Sequence, residues 1–244
     1  MSGFDRAAGD VAGAETLEIM AAAPKYNRWM FDAIAPWLGR RVLEIGSGIG
    51  NMSAHILAGK RERVVLTDID PWYLDRLREQ FQDRSEVEVQ QLTLPDPTAE
   101  SRYADEQLDT VVALNVVEHI EDDVGTLRTM AGLLTPGGRA VILVPALQSI
   151  FGSLDEELGH FRRYSRASLT TAFEMAGLRL EHMTWYNRVG VLGWWLNARV
   201  RRVKRIPLDQ LRAFDRLVPA LRYERFFPLP FGQSLIAIGT PNAS

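Results

Sequence analysis

Val42-Leu43-Glu44-Ile45-Gly46-Ser47-Gly48-Ile49-Gly50-Asn51-Met52-Ser53 is the stretch on which the fold turns. The apolar residues before Gly46 read as a short buried strand. Glycines then alternate at 46, 48 and 50, and a helix start follows at Asn51. Glycine lets the backbone turn sharply and lets a ligand lie directly against it. The helix start offers free N–H groups at the same place. Strand, glycine turn and helix in that order form one unit of an α/β layer, with the turn as its ligand-facing end.

The same alternation continues on both sides. Glu15 to Trp37 has a helical pattern broken at Pro24 and ending near Pro36, and residues 1–14 read as a frayed terminus. After the glycine turn, Val64–Thr67, Val87–Leu92, Leu108–Asn115 and Ala140–Val144 read as strands. Between them, Asp70-Pro71 starts a helix with a capping residue and a first-turn proline, and Asp122 or Asp123 caps another. Thr135-Pro136-Gly137-Gly138 reads as a stop and a turn. Apolar runs alternating with amphipathic helices predict a doubly wound, mostly parallel sheet covered on both faces. Beyond Pro145, Ser165 caps a helix that stops at Gly177, and Leu178–Trp185 and Ser234–Gly239 read as the last two strands. A hairpin of those two would add antiparallel structure at the sheet's edge. The chain divides into an N-terminal helical cap (15–37), a core (40–186), a helical insertion or lid (187–232) and a last strand (233–240), all within one domain spanning 1–244.

Bulk properties narrow the function. The 244 residues are 46% hydrophobic and 24% charged with a net charge of −3, which suits a globular domain and not a general nucleic-acid binder. With no cysteine, thiolate nucleophiles, disulfides and Cys-ligated metal are excluded. The early charges Asp5, Arg6 and Asp10 break any secretory pattern, and no apolar run spans a bilayer, so a cytoplasmic location is expected.

A pyrophosphate-binding turn prefers G-x-G-x-x-G. Here the pattern is G-x-G-x-G, and Asn51 stands where the last small residue would fall. Glu44, just before the loop, would repel a pyrophosphate and favour a cation. Asp68 closes the second strand, where an acidic side chain accepts ribose hydroxyls. S-adenosylmethionine has a ribose, a sulfonium and an ammonium but no phosphate, so these residues favour it over a pyridine nucleotide. An NAD(P)-dependent oxidoreductase and a tight turn with no ligand are the other readings.

The ordered set resembles the class I S-adenosylmethionine-dependent methyltransferases: Glu44 to Gly50, Asp68, the strand Leu108 to Asn115, and Leu133-Leu134-Thr135-Pro136-Gly137-Gly138. The resemblance covers about Arg40 to Val144 and implies a Rossmann-like, seven-stranded sheet whose last strand is antiparallel. It places the cofactor against Glu44, Gly46, Ser47, Gly48, Gly50, Asn51, Asp68, Ile69, Asn115 and Val116. Many relatives carry an Asp after the third strand at the adenine; here the position falls to Thr93, beside Leu94. Tyr26, in the N-terminal segment that commonly lies over the cofactor in this fold, would set an aromatic face near the sulfonium; Trp29 is read as helix packing. A methyltransferase-like subunit without turnover is a further alternative.

For the acceptor, Asn115-Val116-Val117-Glu118 lacks the tetrad of base-modifying relatives. Glu118-His119 is similar to the segment found in small-molecule O-methyltransferases of the ubiquinone-pathway type. That type has an acidic residue three positions earlier that helps hold a metal; Asn115 stands there, so no metal is expected. His119 is a candidate base or a cap for the following helix. Gly159-His160-Phe161-Arg162-Arg163-Tyr164-Ser165 resembles a bacterial subgroup with G-H-x-R-R-Y-[ST]; His160 joins the catalytic candidates, and Arg162, Arg163 and Tyr164 the acceptor contacts. The competing reading has these arginines pair with Asp155, Glu156 or Glu157 and only dock the helix.

In the insertion, Leu192, Leu196, Val200 and Val203 share one helical face, and Trp194 and Trp195 are candidate acceptor contacts. This element is read as a lid that forms an apolar pocket with Phe226, Phe227 and Phe231. Contact of its basic side with a membrane surface or a lipid-linked acceptor is the lesser alternative. The expected partner is a small-molecule acceptor, with O-methylation favoured, and the apolar insertion would also serve a homodimer.

Overall fold

The computed structural model describes residues 11–226 and 229–242. Two helices come first, α1 (Val11–Ala21) and α2 (Pro24–Ile34), with Pro24 opening the second. The core then runs β1 (Arg41–Ile45), α3 (Asn51–Leu57), β2 (Arg63–Asp68), α4 (Pro71–Gln80), β3 (Val87–Gln91), α5 (Ala99–Arg102), β4 (Leu108–Leu114), α6 (Asp123–Gly132) and β5 (Leu134–Pro145). It continues through α7 (Ser153–Glu157), α8 (Arg166–Met175) and β6 (Leu178–Tyr186). The insertion holds α9 (Gly190–Trp195), which winds on as a wider turn over Leu196–Val200, and α10 (Leu208–Leu221). β7 (Ser234–Pro241) closes the chain's sheet.

The seven strands lie in the order β3-β2-β1-β4-β5-β7-β6. β7 runs antiparallel to both of its neighbours, and the other pairs are parallel. The α/β, Rossmann-like sheet with a helical insertion before the last strand is therefore as the sequence predicts. The last two strands pair antiparallel at the sheet's edge as expected, with β6 outermost and β7 between β5 and β6. One detail differs: Thr135 to Gly138 is no simple turn; it lies within β5 as an irregularity against β4, with Gly137 at φ +80°.

The sheet is buried on both faces because its strands alternate between two cores. In β5, Ala140, Ile142 and Val144 pack with Leu127 and Met130 of α6 and Leu169 and Phe173 of α8. Val141 and Leu143 point the other way, onto Met30, Phe31 and Ile34 of α2 and Leu211 and Val218 of α10. The helix starts follow the local chemistry: Asp70 accepts from the Trp72 amide at 2.9 Å, Asp122 from Gly125 at 2.8 Å and Ser165 from Ser168 at 3.0 Å. Parallel strands all end at one edge, and there the loops after β1, β2, β4 and β5 converge.

Candidate active site

The loop after β1 is shaped by its glycines. Gly46, Gly48 and Gly50 all have positive φ, at +67°, +53° and +81°. A Cβ on Gly46 would stand 2.5 Å from Val116 Cγ2, so the loop lies close against the segment after β4. Asp68 fixes it from the side: its Oδ2 accepts the Gly48 N–H at 2.9 Å and its Oδ1 the Asp70 N–H at 3.1 Å. Burial raises the Asp68 carboxyl above its ordinary value, against these hydrogen bonds.

The loop opens on a cavity of 590 Å³, within the range of a small-molecule site. Gly46, Gly48, Asp68, Ile69, Asn115 and Val116 line one end. Glu118, His119, His160, Arg163 and Trp194 line it further on, under a cover contributed by α1, α2, α9 and α10. Tyr26 also lines it; its amide donates to Asp215 at 2.8 Å, and burial pushes its phenol up to about 12, so it stays protonated.

Several expected residues stand elsewhere. Glu44 does not line the cavity: its carboxylate sits beneath the loop, takes the Ser53 hydroxyl at 2.5 Å and is pushed up to about 7 by burial. Ser47, Gly50 and Asn51 are also off the wall and serve the loop's form: the Ser47 amide ties to Thr67 at 2.9 Å, Gly50 to Ser47 at 2.9 Å, and Asn51 Nδ2 donates to the Leu17 carbonyl at 3.2 Å. Thr93 is exposed and Leu94 packs on the core, so neither reaches the cavity. Arg162 turns outward to Asp123 at 2.9 Å, and Tyr164 is buried with its hydroxyl donating to the same carboxylate at 2.9 Å. Neither lines the cavity, and each is held by Asp123. Trp195 is 47% exposed and off the wall. The shared face of Leu192, Leu196 and Val200 also points to solvent, and it is Gly190, Gly193, Trp194 and Asn197 that face inward. Phe226 and Phe231 do not line the cavity, and Phe227 lies outside the described residues.

What the sequence reading missed is the organiser, Asp155. It is fully buried in α7 and gathers four donors: the Gly152 amide at 3.0 Å, His160 Nδ1 at 2.9 Å, Arg163 Nε at 2.7 Å and Trp194 Nε1 at 3.1 Å. Burial alone would raise its carboxyl, but the His160 hydrogen bond and the Arg163 guanidinium outweigh it and hold it below the ordinary value. An ionised Asp155 only accepts, so His160 carries a proton on Nδ1. Arg163 is thus engaged as the docking alternative foresaw, with Nη1 on the Ala146 carbonyl at 2.9 Å and its guanidinium carbon 4.6 Å from the centre of the Trp194 ring. Asp155 was visible in the sequence as a possible ion-pair partner, but nothing in its spacing marked it out from Glu156 or Glu157.

His119 and His160 meet edge to face, with ring centres 4.7 Å apart. His119 borders the open cavity, so its surface is accessible although protein surrounds most of the ring. That surrounding and the neighbouring His160 push it down to about 4, so at neutral pH it is an uncharged imidazole. Glu118 lies beside them, fully buried and pushed up to about 8 by that burial. Beyond its own amide, neither of its oxygens has a hydrogen-bond partner among the described residues.

Comparison with known proteins agrees with this geometry. Residues 43–140 match the family model described as a methyltransferase domain. A Mycolicibacterium smegmatis protein named as a probable S-adenosylmethionine-dependent methyltransferase is 30% identical over 145 residues, 59% of this chain and 53% of its own. The ubiquinone biosynthesis O-methyltransferase of Aeromonas salmonicida is 29% identical over 116 residues, 47% of each chain. The chain spans about half the length of these two curated relatives. An O-methyltransferase family protein from Burkholderia thailandensis has the same fold at 15% identity, with a TM-score of 0.62 over 97% of this chain and 62% of that one. The matched segment carries the glycine loop, Asp68, Glu118 and His119.

Proposed function

We propose that this chain, whose residues 43–140 form a methyltransferase domain, moves the methyl group of S-adenosylmethionine to an oxygen of a small-molecule acceptor. The observation that carries the reading is one continuous cavity with two chemically different ends. The glycine loop and Asp68 offer close backbone approach and a carboxylate for a ribose. The far end offers the uncharged imidazole of His119 beside His160 and the buried Glu118 carboxyl group.

In the reaction, the acceptor oxygen attacks the methyl carbon in line with the C–S bond. The new O–C bond forms as the C–S bond breaks, its electron pair staying on sulfur to give S-adenosylhomocysteine. The hydroxyl proton must leave. The chain's main tasks are therefore alignment of the oxygen, exclusion of water and a group that favours loss of that proton. Tyr26 and Phe214 of the helical cover supply apolar wall over the cavity. The uncharged imidazole of His119 on the cavity wall, with His160 beside it, supports a role in taking that proton. Oxygen is favoured over carbon as the acceptor atom because a hydroxyl gains most from that arrangement.

Calorimetric titration with S-adenosylhomocysteine, beside NADH, tests the cofactor end. Micromolar binding of S-adenosylhomocysteine alone, weakened at least about tenfold in Asp68→Ala, is expected; tenfold corresponds to about 1.4 kcal/mol. Binding of NADH instead would overturn the reading. An acceptor screen read by NMR of the transferred methyl then distinguishes an O-methyl from a C-methyl product.

A further inference from the structure

We propose that Glu118, His119 and His160 together hold one divalent transition-metal ion at the acceptor end of the cavity. One ligand atom from each lies within 4.8 Å of the others. All three residues line the cavity, so an ion there would face the acceptor.

Three features point beyond chance proximity. The first is Glu118, a fully buried carboxylate whose oxygens lack partners apart from its own amide. A buried carboxylate without donors is costly unless a cation or a proton joins it. The nearby Arg163 does not serve, because its guanidinium is bound to Asp155 at 2.7 Å and to the Ala146 carbonyl. Once ionised, Glu118 would leave its cluster with Asp155 and Arg163 one negative charge over, which a bound cation would balance. The second feature is orientation. His160 is gripped through Nδ1 by Asp155, and His119 has a hydrogen bond to the Leu158 backbone that favours a ring N–H. Each imidazole thus has one nitrogen engaged by an oxygen and the other free, the outer-shell arrangement of metal-ligating histidines. The third is chemistry. Two imidazoles and one carboxylate suit zinc-class ions and leave positions open, whereas magnesium prefers an all-oxygen shell. A tetrahedral ion with bonds of about 2.0–2.1 Å sets its ligands about 3.4 Å apart. Closing the shell from within 4.8 Å therefore takes shifts of at most about 1.4 Å between ligand atoms.

Resting on the methyl-transfer reading, the ion's open positions would take the acceptor oxygen and make its hydroxyl more acidic. That gives the histidines one role, as ligands, and narrows the acceptor to a molecule whose reactive hydroxyl can reach a metal.

The test uses the full chain, stripped with a chelator and then titrated with Co²⁺ followed by visible absorption. A single Co²⁺ with d–d bands is expected, displaced by Zn²⁺ and not by excess Mg²⁺. His160→Ala and Glu118→Gln should each weaken it at least about tenfold, and Asp155→Asn by about tenfold through its hold on His160. The chain's other histidines, His55 and His182, lie on different elements, so His55→Ala and His182→Ala should leave binding unchanged. Binding that survives His160→Ala and Glu118→Gln, or that is lost with His55 or His182, overturns the proposal, as does the absence of any bound Co²⁺. Each variant is also titrated with S-adenosylhomocysteine to establish that it is folded. If the wild type binds S-adenosylhomocysteine but no Co²⁺, the metal site fails and the methyl-transfer reading stands. If it binds Co²⁺ through the triad but no S-adenosylhomocysteine, the metal site stands and that reading fails.

Discussion

Asp155 sets the positions of a backbone amide, an imidazole, a guanidinium and an indole at once. Asp155→Asn keeps the shape and removes the charge, leaving the buried Arg163 guanidinium uncompensated. Breaking one side of a buried pair typically costs about 3–5 kcal/mol, and urea denaturation of the variant should show a loss near about 3 kcal/mol because the amide oxygen still accepts. A loss below about 1 kcal/mol would mean that Arg163 finds another partner. At this scale the sequence was legible where backbone geometry dictates the residue. Gly46, Gly48 and Asp68 had to be where they are, since the turn needs positive φ and Asp68 holds it. It was illegible where two side chains of like chemistry sit side by side. Arg162 and Arg163 are neighbours, yet one faces Asp123 outside and the other Asp155 inside. Which one turns in depends on the register of the segment beside Ala146, and no single residue type encodes that.

Among elements, β1, β2 and β4 were readable as largely apolar runs, β3 by its alternation, and α4 and α6 by their capping aspartates. Which of β6 and β7 lies outermost was not, because Ser234 to Pro241 would suit either an edge or an interior position equally well by composition. The direction of α9 was misread for a related reason. Its apolar residues share a face, but the cavity takes up the glycines and Trp194 instead, and Leu192 is left 71% exposed. Helix α1 depends on the glycine loop: Asn51 holds the Leu17 carbonyl, and the Leu17 side chain lies where a Cβ on Gly48 would come within 2.7 Å. Asn51→Ala should therefore free α1. Hydrogen exchange should show amides of 11–21 exchanging at least several-fold faster in the variant while β1 and β4 amides are unchanged. Equal rates in α1 would mean that packing alone holds it.

The molecule as a whole carries a pH dependence traceable to Glu44. Its folded carboxyl is pushed from the ordinary 4.5 to about 7, so the folded state holds that proton more tightly than the unfolded chain does. A raised carboxyl makes stability full below about pH 4.5 and lets it fall as pH rises to about 7, above which no more is lost. The ceiling on this one group is about 3 kcal/mol. Glu44→Gln keeps an acceptor for Ser53 and has no proton to lose. Its stability relative to wild type should therefore rise from pH 5 to pH 8 by up to about that amount in chemical denaturation. A constant difference across the range would mean that Glu44 is already ionised in the fold.

The insertion of β7 between β5 and β6 also has a consequence in time. A ribosome makes β5 and β6 well before residues 234–241, yet the two strands touch only through β7. Until that segment emerges, the nascent sheet has a gap one strand wide, bordered by two rows of unpaired amides and carbonyls. Such edges are templates for pairing with other chains. A premature stop anywhere before Ser234 would therefore yield a product that is not merely shorter but sticky. The last strand made is the one that renders the rest safe from its neighbours.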